Sequence, residues 1–507
     1  MVALAPASPR RLFWLCLGLV TLLSFFTYFY RYTFPRSFYW DENYHVAAAQ
    51  KYLNGVYFME PHPPLGKLLI AAGEALLRQN ERNDQFIGTD YASNPPGGFS
   101  LVGYRFFPAM LAWLAAPLLF LIFLLLSRNP IHALLYSFLY VFENAFIVQL
   151  RGAMLEGPLI FFSMLTVLSA LLAVEWKNNP RRCLAACILF GVALGCAVTT
   201  KVFSLIFGPL ALLIAWSLWK QRRFLIKAAC LSAAAFFLTF SAVWYFHIAQ
   251  GARVVSSLSD NGYYQASEHY KSVLAEGRTS SLLLFPRLLR DHLRYVSHYE
   301  SGVPALDLCK DDENGSHPFF WPIGSRTISY RWETPDSTLY QYLYLVPNPA
   351  VWGIGLVALL LTVSLLLADF FLGSSQLLPQ RPVLVTLLVM YVGFMGVMSQ
   401  IDRVLYLYHY FLPLLFTLMM LPLCVRAIRT WGPLQLRDEH RSAFILLLAI
   451  LTFGAFQVFR PLTYYEPISD EAFELRNWND LWEMRCARCS RQSKIATPHP
   501  PPPQEER

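Results

Sequence analysis

Apolar residues run along this chain in long uninterrupted blocks, and polar stretches separate them. A run of about 20 apolar residues is long enough to cross a hydrocarbon layer as a helix. Eleven such blocks are read here: 12–30, 104–126, 131–149, 157–175, 183–199, 202–219, 228–247, 350–372, 383–400, 404–425 and 442–460. Backbone inside a bilayer must satisfy its own hydrogen bonds, so each block is expected as a helix. Neither an internal repeat nor the alternating pattern of a barrel is present. The first block follows Arg10 and Arg11 and has no small-residue cleavage site after it, so it is expected to be a retained anchor.

Two long polar interruptions remain, 31–103 and 248–349. In the first, 42–54 has helical spacing and stops at Gly55. A second helix is expected from Pro63-Pro64 through "LGKLLIAAGEALL", because proline is tolerated in a first turn. Its apolar side suits a membrane surface. Residues 79–100 read as loop from their Gly, Pro, Asn and Asp content. The organisation is then one membrane domain over 1–485 and a polar, Pro-rich tail, 486–507, expected to be disordered.

Composition agrees with the pattern. Of 507 residues, 55% are hydrophobic and 15% are charged, whereas a soluble domain has about a quarter charged. The net charge of +8 does not point to nucleic acid, because the positive charge falls in alternate short loops. Arg128, then Lys177, Arg181 and Arg182, then Lys220, Arg222, Arg223 and Lys227, then Arg381, then Arg426, Arg429, Arg437 and Arg441 mark one side. By the positive-inside rule that side is cytoplasmic, which puts the N-terminus inside and the loops 31–103 and 248–349 outside. Most cysteines lie in apolar blocks and read as small packing residues. Cys486 and Cys489 suggest a disulfide or half a metal site, and no second pair stands nearby to complete a zinc site.

The turns on the other side hold single cations: Arg105, Arg151, Lys201 and Arg403. Each alone reads equally well as a side chain snorkelling to head groups. Four together suit an anionic lipid head group, especially a phosphate. Glu143 and Asn144 interrupt the third block, and Glu143 reads first as a structural hydrogen bond between helices. Glu156 favours its helix N-terminus or pairs with Arg151. Asp41, taken alone, is a helix cap. Its functional reading is a carboxylate at the water-facing mouth of a helical bundle, where it takes a proton from an acceptor hydroxyl while cations stabilise a leaving phosphate. His62, His317 and His409 share no metal-ligand spacing, so phosphate contact or hydrogen bonding is the better reading and no metal or cofactor is expected.

Six stretches, in order, resemble the protein O-mannosyltransferase family. They are "WDENYHVAAAQKYLNGVYFMEPHPPLGKLL", "GYRFFPAM", "VFENAFIVQLRGAMLEGPL", "VTTKVFSLIFG", "SHPFFWPIGSRTISYRW" and "DRVLYLYHYFLPLLF". This sequence has Glu156 where the family usually has Asp. The resemblance implies an all-α polytopic membrane protein, a GT-C type glycosyltransferase with about 11 transmembrane helices and outer-face loop helices. It implies transfer of mannose from a polyprenyl-phosphate donor to Ser or Thr of an acceptor protein, by inverting displacement and without a metal. Asp41 would be the base with Glu42 in support; Arg105, Arg151, Lys201, Arg403, His62 and His409 would bind the donor phosphate or substrate. The 248–349 loop has no room for the β-trefoil repeats of eukaryotic members, which favours a bacterial member in an inner (plasma) membrane with its site on the periplasmic or extracellular side. The alternatives are the same fold acting on lipid A or a cell-wall glycan, as in aminoarabinose transferases, and a lipid transporter or flippase. Transporters place broken helices at the midplane, often in repeated halves, and this chain shows no repeat. A membrane scaffold would not explain four outward cations beside an acidic pair.

Overall fold

A computed structural model describes residues 9–255, 262–310, 313–336, 338–373, 378 and 380–485. The Cys486/Cys489 pair and the 486–507 tail lie outside the described residues. The helices are α1 (Pro9–Phe29), α2 (Glu42–Leu53), α3 (Leu65–Leu77), α4 (Val102–Ser127), α5 (Pro130–Val141), α6 (Asn144–Leu150), α7 (Glu156–Glu175), α8 (Pro180–Val198), α9 (Gly208–Leu218), α10 (Arg222–Gln250), α11 (Glu268–Ala275) and α12 (Phe285–Ser301). After the strands β1 (Ile328–Glu333) and β2 (Tyr340–Leu345) come α13 (Pro349–Leu372), α14 (Arg381–Met398) and α15 (Phe411–Ala427). The two-residue strands β3 (Thr430–Trp431) and β4 (Leu434–Gln435), then α16 (Asp438–Tyr464) and β5 (Pro467–Ile468), follow.

Among the described residues, nine helices are long and apolar enough to cross a membrane. All eleven apolar blocks recur as helical segments, but two depart from the expected eleven full spans. The third is broken into α5 and α6, bent by 63°. The sixth, Val202–Leu218, is shorter and begins as a 3-10 helix over Val202–Phe207. The break has a local cause. Glu143 stands in extended backbone and its carboxylate accepts from Phe146 N as the cap of α6. The same carboxylate accepts from Asn348 N at 2.9 Å and Trp352 Nε1 at 3.0 Å. Glu143 is therefore the structural hydrogen-bonding residue expected, tying α6 to the start of α13.

Three helices begin on the same dipeptide. Asn129-Pro130, Asn179-Pro180 and Asn348-Pro349 each place Asn at the cap, with its side chain accepting from the first turn, and Pro in that turn. Proline lacks the N–H that a first turn leaves unpaired anyway, and its fixed φ suits helix entry. Inside the first loop, α2 ends as expected at Gly55, whose φ of +63° favours glycine. Helix α3 packs so closely on α4 that a Cβ on Gly73 would lie 2.3 Å from Gly103 O. Its opposite side keeps Ala72, Ala75 and Leu76 exposed.

The chain is not purely helical. Strands β1, β2 and β5 form an antiparallel sheet in that order, with a bulge in β1 between Ser329 and Arg331. Aromatic side chains of β2 (Tyr340, Tyr342, Tyr344) pack with Phe459 of α16 and with Phe473 and Trp482 of the segment after it. The sheet thus binds the loop after α12 to the C-terminal segment. Successive spans alternate direction, so the loop with α2 and α3, the turns at 151–155 and 199–201, the described part of the 251–348 loop and the 399–406 turn share one end of the bundle.

Candidate active site

Asp41 immediately precedes α2, yet its side chain makes no capping hydrogen bond. Its carbonyl, not its carboxylate, starts the helix by accepting from Tyr44 N and His45 N at 3.1 and 3.0 Å. Trp40 before it holds φ of +53°, uncommon for a bulky L residue. Its ring lies 5.0 Å from Tyr330 of β1 and 5.0 Å from Tyr406. The Asp41 carboxylate is left without a capping bond, within reach of the charges of Glu156, Lys201 and Lys67. Burial pushes its pKa up to about 6, helped by the negative charge of Glu156 and opposed by Lys201 and Lys67.

Glu42 and Arg105 do not face the cleft. Both are fully buried, and Arg105 forks onto Glu42 with Nε–Oε1 and Nη2–Oε2 distances of 2.7 Å. Arg105 also donates to the carbonyls of Pro35 (2.7 Å), Ser37 (3.2 Å) and Tyr32 (3.4 Å). A guanidinium has five N–H donors, and those contacts occupy all of them. Glu42 accepts further from Ala153 N at 2.8 Å and Tyr39 N at 3.3 Å, which fills its four acceptor sites. Arg105 thus has no donor left for a phosphate, which corrects that expectation, and Glu42 clamps the first loop, α4 and the 151–155 turn together. Arg151 gives two of its donors to the framework. It donates to Tyr30 O at 3.1 Å and Thr463 O at 2.6 Å, and lies 4.8 Å from the Tyr464 ring centre. Its expected pairing with Glu156 is not made.

Lys201 is the partner Glu156 takes instead, with Nζ 2.5 Å from Oε1. Gln149 Nε2 donates to the other oxygen of Glu156 at 3.0 Å, and Tyr330 Oη donates to Gln149 Oε1. Lys201 Nζ also lies 5.5 Å from the ring centres of Phe203 and Tyr408. Glu156, Lys201, Phe203, Tyr408, His409 and Phe411 line a narrow cleft at this end of the bundle. His409 is stacked at 13° on Trp321, 6.0 Å between ring centres. Its Nδ1 lies 2.9 Å from Tyr406 O. His317, in contrast, caps the turn at Phe319 N.

His62 is brought to the same cluster. Burial lowers its pKa well below the usual imidazole range, and Lys201, Lys67, His45 and Arg403 lower it further. Arg403 enters through the backbone of its turn: Val404 N donates to Pro304 O at 2.9 Å and Ser316 N to Leu405 O at 2.7 Å. The long loop therefore holds that turn in place. Sequence reasoning passed over Lys67, which forms a buried ion pair with Glu60, and over Gln149, Tyr330 and Tyr408. All four stand in the stretches that carry the resemblance, and Lys67 is besides a lone cation in an apolar helix. Among the described residues, no three His, Cys, Asp or Glu side chains converge as a metal-holding group.

This architecture defines a polytopic helical membrane protein of the GT-C type, with a charged cleft among the loops at one end of its spans. The structure is similar to that of the Saccharomyces cerevisiae protein O-mannosyltransferase Pmt1-Pmt2 complex bound to the sugar donor, with a TM-score of 0.77 at 16% identity over 95% of this chain and 94% of that one. Two family models match: dolichyl-phosphate-mannose-protein mannosyltransferase over 18–253, and the C-terminal four-transmembrane region of protein-O-mannosyltransferase over 293–482. The chain belongs to the protein O-mannosyltransferase family. Among its relatives, dolichyl-phosphate-mannose–protein mannosyltransferase 4 of Schizosaccharomyces pombe is 31% identical over 41% of this chain and 27% of its own length. Human protein O-mannosyl-transferase 1 is 32% identical over 37% of this chain and 25% of its own length. These matches thus span about a quarter of each relative.

Proposed function

We propose that this protein transfers mannose from a polyprenyl-phosphate donor to Ser or Thr hydroxyls of proteins, with inversion at the anomeric carbon. The observation that carries the reading is the Asp41 carboxylate: it makes no capping bond and stands among the charges of Lys201, Glu156 and Lys67, the first two of which line the cleft as an ion pair. The acceptor oxygen attacks the anomeric carbon as the bond from that carbon to the phosphate oxygen breaks. The acceptor proton passes to Asp41, and the electron pair leaves with the polyprenyl phosphate. A pKa near 6 suits the task, because the group is ionised at neutral pH and still basic enough to take a proton.

Lys201 and Arg403 supply positive charge to the leaving phosphate. One Lys201 donor is used by Glu156, and an ammonium has three. Glu156 and Gln149 hold that lysine in place. His62 and His409 can add hydrogen bonds to the phosphate. The Asp41 end of the bundle faces away from the basic loops around Arg128, Arg182 and Arg223, which supports a cytoplasmic N-terminus and a site on the outer face. The test is reconstituted protein given a polyprenyl-phosphate-mannose and a Ser/Thr peptide. Hexose on the peptide by mass spectrometry is expected; a donor left intact with every peptide tried would overturn the reading.

A further inference from the structure

Helix α12 carries three distinct faces. Leu288, Asp291, His292 and Tyr295 form the buried one. There His292 Nδ1 lies 3.3 Å from His247 Nε2 on α10, and His292 Nε2 lies 2.9 Å from Tyr270 Oη on α11. On one flank Phe285, Leu289, Leu293 and Val296 recur at helical spacing and stay partly exposed, Leu293 by 44%. On the other flank Arg287, Arg290 and Arg294 recur at the same spacing and are exposed. At about 100° per residue the two stripes fall on roughly opposite sides of the helix. A helix that only covered a protein core would need one apolar side, and this helix has two.

The turn before it adds to the pattern. Leu282 is 72% exposed and Leu283 is 92% exposed. That turn is fastened to a spanning helix: Tyr245 Oη on α10 donates to Ser280 O at 2.8 Å, and the Tyr245 ring lies 5.8 Å from Phe285. Tyr245 stands in the last turns of α10, roughly 7 Å of helix rise below its end at Gln250. The surface of α10 on either side is apolar and exposed, with Phe237, Leu238 and Phe246 all more than half exposed. Leu282 and Leu283 therefore stand beside a spanning helix near the level where it leaves the hydrocarbon.

We propose that residues 280–296 are seated in the lipid leaflet at the cleft end of the bundle. Leu282 and Leu283 enter the acyl boundary. The Phe285–Leu289–Leu293–Val296 flank lies on it, and Arg287, Arg290 and Arg294 face the water side within reach of anionic lipid head groups. This is the pattern of an interfacial amphipathic helix: one apolar flank, one basic flank, lying along the surface. It fixes the height of the long loop, and through the His292–His247 and His247–Tyr52 contacts that loop is joined to α2 of the first loop.

The test uses the full wild-type chain in phosphatidylcholine vesicles that contain a phospholipid with a diazirine on its acyl chain. After irradiation, peptide mass spectrometry locates the adducts. Adducts within 280–296 are expected at a level within about threefold of those within 237–246 of α10, and at least fivefold fewer in a Leu282→Ser/Leu283→Ser variant. Adding phosphatidylglycerol should raise the 280–296 yield in wild type, and an Arg287→Gln/Arg290→Gln/Arg294→Gln variant should lose that rise. Adducts confined to spanning helices would overturn the proposal. So would cross-links between two copies through 280–296 without lipid adducts, which would assign this face to a dimer.

Discussion

Asp41→Asn separates catalysis from structure in one substitution. If Asp41 were a helix cap, Asn would serve nearly as well, since the two rank together at that position. The structure removes even that concern, because the Asp41 side chain makes no capping bond. Stability therefore should not fall. It should rise slightly at neutral pH. The folded-state pKa is raised to about 6 from 3.8, so between those values the folded protein binds more protons than the unfolded chain. The stabilisation this gives is present below pH 4 and is lost as pH rises through about 6. At neutral pH the buried charge is a net cost. A tenfold change in proton affinity corresponds to about 1.4 kcal/mol, and after discounting for the partial exposure of this carboxyl, roughly 1–2 kcal/mol remains. Neutral Asn does not carry that cost. Turnover should fall on the order of a hundred- to ten-thousandfold, the usual contribution of a general base. Wild-type kcat should itself decline below about pH 6 as Asp41 protonates, and the residual activity of the variant should lose that limb. The assay is mannosyl transfer to a Ser/Thr peptide across pH 5–8, with melting followed in parallel. Near-normal turnover in a well-folded variant would refute the role of Asp41. Lost turnover with a clearly lowered melting point would assign Asp41 to the framework instead.

Arg105→Ala and Glu42→Gln should both lower the melting temperature, since removing one partner of a buried ion pair costs about 3–5 kcal/mol; an Arg105→Ala protein of normal stability but weak donor binding would restore the phosphate role to Arg105. Lys201→Ala should weaken donor use about ten- to a hundredfold, as expected for a charge-assisted contact of about 1.5–3 kcal/mol, and unchanged kinetics would leave Lys201 as a structural partner of Glu156. Glu143→Ala should destabilise the fold by several kcal/mol, because three buried N–H donors lose their acceptor at about 1–3 kcal/mol each; thermal melting reads this, and an unshifted transition would refute the structural role of Glu143. A cysteine placed at exposed Asn94 should react with an impermeant thiol reagent from outside intact cells, and labelling only after lysis would reverse the proposed orientation.

The bundle was legible in the sequence because its main determinants are local. An apolar block long enough to cross a bilayer has few alternatives to a helix, and each of the eleven blocks recurs as a helical segment. Helix starts were equally local, as at Asn348-Pro349, where the cap and the missing N–H lie in adjacent residues. The family resemblance was carried by short motifs for the same reason. The strands were not legible: β5 is two residues long and exists only because β2 lies beside it.

The sequence by itself determined which polar groups had to find partners, since charges and carboxylates in so apolar a chain cannot stay unpaired at little cost. Only the tertiary structure decided which partner each one took. Arg105 and Glu42 lie 63 positions apart and pair in a two-bond fork. Glu156 passes over Arg151, five residues before it, for Lys201, 45 residues after it. Asp41 and Glu42 are neighbours in sequence with opposite fates, one left without a capping bond beside the charges of Lys201 and Glu156 and the other locked in a clamp. Charge and spacing are the same information for both of them. The difference is the direction in which helix α2 points each side chain and what the rest of the chain has placed there, and that is set by packing between segments far apart in sequence.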